Sequence, residues 1–405
     1  MLQLNLENLF KTGLSEADFK SQADKIPAYL QQIHARKQGF YEVIDDQNLI
    51  DEVQAFASQA NYKHIVVLGI GGSALGTICL QHALGHLHKQ SEPSLHVLDN
   101  VDPEFIAELE DVIDLSKTLF IPISKSGGTV ETLSQYHYFR TKIEAANQEH
   151  NDHFVFITDP TPGTITDIAT QTGAKLFHLP ENVGGRFSVL TAVGLLPAAL
   201  IGINVQKLIQ GARDMRDAFL NEDFATNLPF QIATIQYMAG KNINVIMPYV
   251  QKLNYFADWY KQLLAESIGK TDTVGITPTK ALGVTDQHSQ LQLYSEGPND
   301  KLIIFFETQK FQIDLLIPNP ELNGVTFNQL INTEKRGTAD ALTENGRPNF
   351  TVLLDQLNEY TLGQLFLLFE GATAFLGEYY GIDAFNQPGV ELSKKLTKQY
   401  LNELT

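Results

Sequence analysis

The chain has 405 residues, enough for two ordinary domains, and its 43% apolar and 19% charged residues exclude a disordered or fibrous protein. A formal net charge of −18 excludes a general nucleic-acid surface, which needs clustered Lys and Arg, but leaves room for a phosphorylated metabolite at a local positive spot. A single cysteine, Cys79, excludes an intramolecular disulfide framework and fits a reducing, cytoplasmic setting.

The first twenty residues lack a basic segment followed by an apolar core, so no secretory signal is expected. A helical segment is predicted over roughly 15–60. Short apolar runs then alternate with helical spacing: strands at 64–70, 95–100, 118–124 and 153–159, with a long helix from about 129 to 147. A second series follows "LNEDFATNLP" (220–229), with strands at 243–250, 301–308, 312–319 and 349–356 and helices near 254–268 and 327–343. Continuous apolar strands separated by helices predict an α/β protein with two mainly parallel sheets, each covered on both faces. The predicted units are 1–220, 221–383, and a terminal turn and helix at 384–405 that packs back on the active site. The apolar stretch 361–382 carries Gln364, Glu370 and Glu378, so it reads as a buried helix and not as a membrane span.

Ligands of such sheets bind beyond the carboxyl ends of strands, where strand order reverses. Two glycine-rich loops occupy strand ends here. "GIGGSALG" (69–76) follows "HIVVL", and "SKSGGT" (124–129) follows "TLFIPI". Glycines let an anion approach the backbone, and the next helix aims free N–H groups at it. The first loop mimics a dinucleotide fingerprint, which is a weak signal alone. The hydroxyls of the second suit a single phosphate better. Arg186, in "ENVGGRFSVLTAVG" (181–194), precedes an almost wholly apolar helix and so is expected to face an internal cleft, where a planar guanidinium suits a developing oxyanion.

In "WYKQLLAESIGK" (259–270), Gln262 and Glu266 stand four apart on one helical face among apolar neighbours. A carboxylate there is a candidate base, although a solvated carboxylate is the commoner situation. His288, in "GVTDQHSQLQLY" (283–294), is alone after residue 178, and a lone histidine is more often structural. Gln387 and Lys394 lie in "AFNQPGVELSKKL" (384–396), a helix entry across a Pro-Gly turn. His82, His86 and His88 have no carboxylate beside them, so no metal site is expected.

Taken in order, "GIGGSALG", "SKSGGTVET", "ENVGGRFSVLTAVG", "LLAESIGK", "QHS" and "FNQPGVELSKK" resemble the phosphoglucose isomerase family over roughly 60–400. The resemblance implies two doubly wound, SIS-type αβα sugar-isomerase domains with flanking helices, and a metal-free, nucleotide-free conversion of glucose 6-phosphate to fructose 6-phosphate. It further implies that Ser124, Lys125, Ser126 and Thr129 hold the 6-phosphate, and that Gly72 and Ser73 line the sugar. Glu266 would move the proton between C1 and C2, and Arg186 would stabilise the cis-enediolate. His288 with Lys394 would open the ring, while Gln262 and Gln387 would orient substrate. His288 would come from the neighbouring subunit of a homodimer. The chain departs from the family pattern at Asn386, where Asp is frequent, and it is shorter than many members. Three other readings compete: a broader isomerase that also takes mannose 6-phosphate, a sugar-phosphate sensor without catalysis, and a nicotinamide-dependent oxidoreductase suggested only by "GIGGSALG".

Overall fold

A computed structural model describes residues 2–89, 92–322 and 324–404. In chain order its strands are β1 (Gln3–Asn5), β2 (His64–Leu68), β3 (Ser94–Leu98), β4 (Thr118–Pro122), β5 (Val155–Thr158), β6 (Lys175–His178), β7 (Ile243–Pro248), β8 (Thr277–Lys280), β9 (Lys301–Thr308) and β10 (Asn349–Leu354). Parallel pairing orders the first set β3-β2-β4, and parallel bridges Phe120↔Phe154 and Ile123↔Ile157 carry it on to β5-β6. The second sheet runs β1-β10-β9-β7-β8, parallel except for the antiparallel edge strand β1.

Why the strands read as unbroken apolar runs follows from which face each residue takes. Successive side chains point to opposite faces. In the first sheet Ile65, Val67, Leu119 and Ile121 enter one core cluster, while Val66, Leu68 and Phe120 enter another. In the second, Ile246, Ile304 and Phe306 share the first of those clusters, whereas Val245, Met247, Ile303 and Phe305 face a third. With both faces buried, apolar residues dominate each strand, and the few polar ones, such as Asn244 and Thr351, are themselves buried. Strand order reverses between β2 and β4 in the first sheet, so the 69–76 and 124–129 loops leave adjacent carboxyl ends, as a ligand site requires.

One core cluster spans both halves of the chain. Its seam is helix Glu359–Tyr380, which is buried nearly end to end and packs on helix Val205–Phe219. Glycines let these two backbones touch: a Cβ on Gly211 would lie 1.9 Å from the Tyr360 carbonyl oxygen, and one on Gly363 would lie 1.9 Å from that of Leu208. Glu370 sits fully inside this seam, where burial pushes the pKa of its carboxyl well above the usual carboxylate range. Arg36 pairs with Glu378 nearby.

The segment 312–319 is not the predicted strand. Neighbours β7 and β10 already occupy both sides of β9. The segment instead projects as an arm with a single bridge, Leu316↔Thr326, and leaves Ile313 76% exposed. Strands β1, β6 and β8 are too short or too polar to stand out in the sequence. The terminal helix Glu391–Leu404, read as packing back on the active site, has no buried residue; its apolar stripe of Leu392, Leu396, Tyr400 and Leu404 lies open in the single chain. Among the described residues no helix is long and apolar enough to cross a membrane.

Candidate active site

The centre of the site is built by a helix from the second half and a loop from the first. Helix Asn254–Ile268 presents Gln262 and Glu266 one turn apart, and Gln262 Nε2 donates to Glu266 Oε1 at 2.9 Å. The other carboxylate oxygen, Oε2, accepts from Arg186 Nη1 at 3.2 Å. Glu266 keeps 32% of its side chain exposed, whereas that of Arg186 is only 2% exposed. Burial pulls the guanidinium's pKa down, and the charges of Glu266 and Asp383 pull it back up.

Arg186 is held on all sides. Nε donates to Ser267 Oγ at 2.7 Å, Nη1 to Gln387 Oε1 at 2.9 Å, and Nη2 to the carbonyls of Ala384 at 2.6 Å and Asn386 at 3.1 Å. The following residue, Phe187, packs on Phe40 and Phe385, which anchors the 384–387 turn from its apolar side. A cavity of about 390 Å³ opens beside this turn, lined by Asn386, Gln387, Pro388 and Glu391.

Two loops complete the floor. Gly72 meets the arginine loop backbone to backbone: a Cβ there would fall 2.3 Å from Gly185 and 2.8 Å from the Arg186 nitrogen. Gly72→Ala must therefore displace Arg186, and kcat is expected to fall about 10²-fold with unchanged circular dichroism, checked by steady-state kinetics. Ser73 closes the short turn Gly71–Ser73 ahead of helix Leu75–Leu84.

The 124–129 loop folds over itself. Ser124 and Thr129 hydroxyls bond at 2.7 Å, Gly127 takes φ +65°, and the Gly128 N–H points to Ser126 Oγ at 3.4 Å. Thr129 precedes helix Val130–Ala145 without capping it by its side chain, so the first N–H groups of that helix stay open toward the loop. Lys125 turns the other way. Its Nζ donates to the carbonyls of Glu181 and Val183, both at 2.8 Å, and straps the loop to the segment carrying Arg186. Burial lowers its pKa, against the pull of Asp159 and Glu181.

Glu266, Arg186, Gln262, Gln387 and Gly72 thus come together, with the 124–129 loop tied on by Lys125. His288 and Lys394 do not join them. His288 is exposed and its side chain has no hydrogen-bond partner among the described residues. Lys394 is 64% exposed and pairs at 2.9 Å with Glu391, which lines the cavity. The sequence reading missed Ser267, whose hydroxyl carries no pattern of its own, and Lys270, whose partner Asn386 lies 116 residues further along the chain. His82 stacks on Tyr255, and among the described residues no group of three or more His, Cys, Asp or Glu could hold a metal.

Comparison places this architecture among the isomerases of phosphosugars. A hypothetical protein from Thermus thermophilus superposes with a TM-score of 0.93 at 34% identity, covering 99% of this chain and 100% of that one. A glucose-6-phosphate isomerase from Chlamydia trachomatis shares the fold with a TM-score of 0.86 at 22% identity, covering 96% of this chain and 87% of that one. By sequence, a glucose-6-phosphate isomerase of Carboxydothermus hydrogenoformans is 42% identical across 98% of this chain and 94% of its own length. The phosphoglucose isomerase family model matches residues 19–282 and 329–405. The chain belongs to the phosphoglucose isomerase family and is an isomerase.

Proposed function

We propose that the chain interconverts glucose 6-phosphate and fructose 6-phosphate, a step of glycolysis and gluconeogenesis, in the cytoplasm. The observation that carries this reading is the Glu266 carboxylate held between the Gln262 amide and the buried Arg186 guanidinium. A proton beside a carbonyl is a weak acid, so its removal needs a positioned base and a partner for the charge that develops on oxygen. Glu266 takes the proton from C2 of the open-chain aldose and returns it to C1, passing through a cis-enediolate whose oxygen faces Arg186. The exchange balances within the substrate, with no outside oxidant or reductant.

Ser124, Ser126, Thr129 and the open N–H groups of helix Val130–Ala145 receive the 6-phosphate, while Lys125 holds their loop against the 181–183 segment. Gly72 and Ser73 line the sugar, and Gln262 and Gln387 orient it. The pairing of Lys394 with Glu391 on the cavity wall supports a role for it in ring opening from the rim. His288 stands outside the cluster of its own chain, which favours its delivery by the second subunit of a homodimer.

The test is turnover of fructose 6-phosphate by the purified protein without added metal or nucleotide, read by a coupled dehydrogenase. Turnover supports the reading. Tight binding of fructose 6-phosphate without turnover would replace it with a sensor.

A further inference from the structure

We infer that Lys270 is a positioning residue of this reaction, joining the helix that bears Glu266 to the turn that bears Gln387. The helix ends at Ile268, and the chain folds back so that Lys270 Nζ donates to the Glu266 carbonyl at 2.8 Å. The same ammonium donates to the Asn386 carbonyl and reaches Asn386 Oδ1 at 3.2 Å. That main-chain carbonyl is also a target of Arg186 Nη2, at 3.1 Å. One carbonyl oxygen therefore locks two cations, and through them the base, the oxyanion partner and Gln387 share a single frame.

Two like charges meet around this oxygen, so the frame needs neutralisation. Burial and Arg186 pull the Lys270 pKa down, while Asp383 and Glu266 pull it up. Asp383 also accepts from Asn386 Nδ2 at 2.8 Å, which orients the amide toward Lys270. Asn386 brings no charge of its own, so Asp383, three residues earlier, supplies the counter-charge. The bonds of Lys270, to two main-chain carbonyls and the Asn386 side chain, set the rotation of the turn about Arg186. An error of about 1 Å there separates a productive from an unproductive Glu266.

The inference rests on Glu266 as base, and the experiment separates the two. Lys270→Met is expected to lower kcat roughly 10- to 10²-fold with KM for fructose 6-phosphate within about threefold and an unchanged melting temperature. Lys270→Arg, which keeps a cation able to reach both carbonyls, is expected to recover kcat to within about fivefold of the parent. A Lys270→Met enzyme with parental kcat overturns the inference, as does a loss of kcat that tracks a lowered melting temperature and is not recovered by arginine. Activity surviving in Glu266→Gln would overturn the base instead. An inert Glu266→Gln enzyme beside an unaltered Lys270→Met enzyme overturns the positioning role alone.

Discussion

Replacing Glu266 by glutamine is expected to lower kcat by roughly 10²–10⁴-fold, the usual contribution of a positioned general base and about 3–5 kcal/mol of barrier. Glutamine has nearly the same shape: its amide oxygen can keep the Arg186 bond, and its NH2 can donate to Gln262 once that amide turns its oxygen round, so the fold and the grip on phosphate survive. KM should therefore stay near its parental value while kcat collapses, a split that steady-state kinetics reads directly. A loss under about tenfold would remove Glu266 as the base.

Arg186→Lys is the second large effect, with an expected loss of roughly 10²–10³-fold in kcat. Lysine keeps the charge, but its single ammonium cannot copy the planar fork that reaches Ser267, Glu266, Gln387 and two carbonyls at once. The Ala384 carbonyl and the Ser267 hydroxyl lie in buried surroundings, and losing the donor leaves them short of a partner at about 1–3 kcal/mol each. The variant should thus be both slower and less stable toward denaturant. A stable Arg186→Lys enzyme with near-parental kcat would sink the oxyanion role.

How much of this was legible beforehand depended on whether the signal was local. Strand β9 could be bounded at 301–308 because an apolar run ends at polar residues on both sides, and the spacing of Gln262 and Glu266 put them on one helical face. The glycine-rich loops at the ends of β2 and β4 stood out as candidate anion-binding turns through chemistry alone. What stayed hidden were partnerships between residues far apart in the chain. Nothing near Lys125 says that its ammonium turns to the carbonyls of Glu181 and Val183. Lys270 looks like a solvated lysine after a helix until residue 386 arrives beside it. The run at 312–319 has strand composition, yet a strand needs a free edge, and the sheet has none for it there.

The glycine contacts between helices Val205–Phe219 and Glu359–Tyr380 bear on how substrate gets in. Backbones that close leave no slack, and the seam they form belongs to the same core as both sheets. Opening the two halves like a clam shell would tear apolar surface into water along the whole of a buried helix, at roughly 25 cal/mol for every Å² exposed. The polar rim has no such penalty: Pro388 and Glu391 are exposed, as are Ser126 and Gly128 in the 124–129 loop. Admission and product escape thus fall to swings of a few residues at the doorway, while the walls that carry Glu266 and Arg186 stand still.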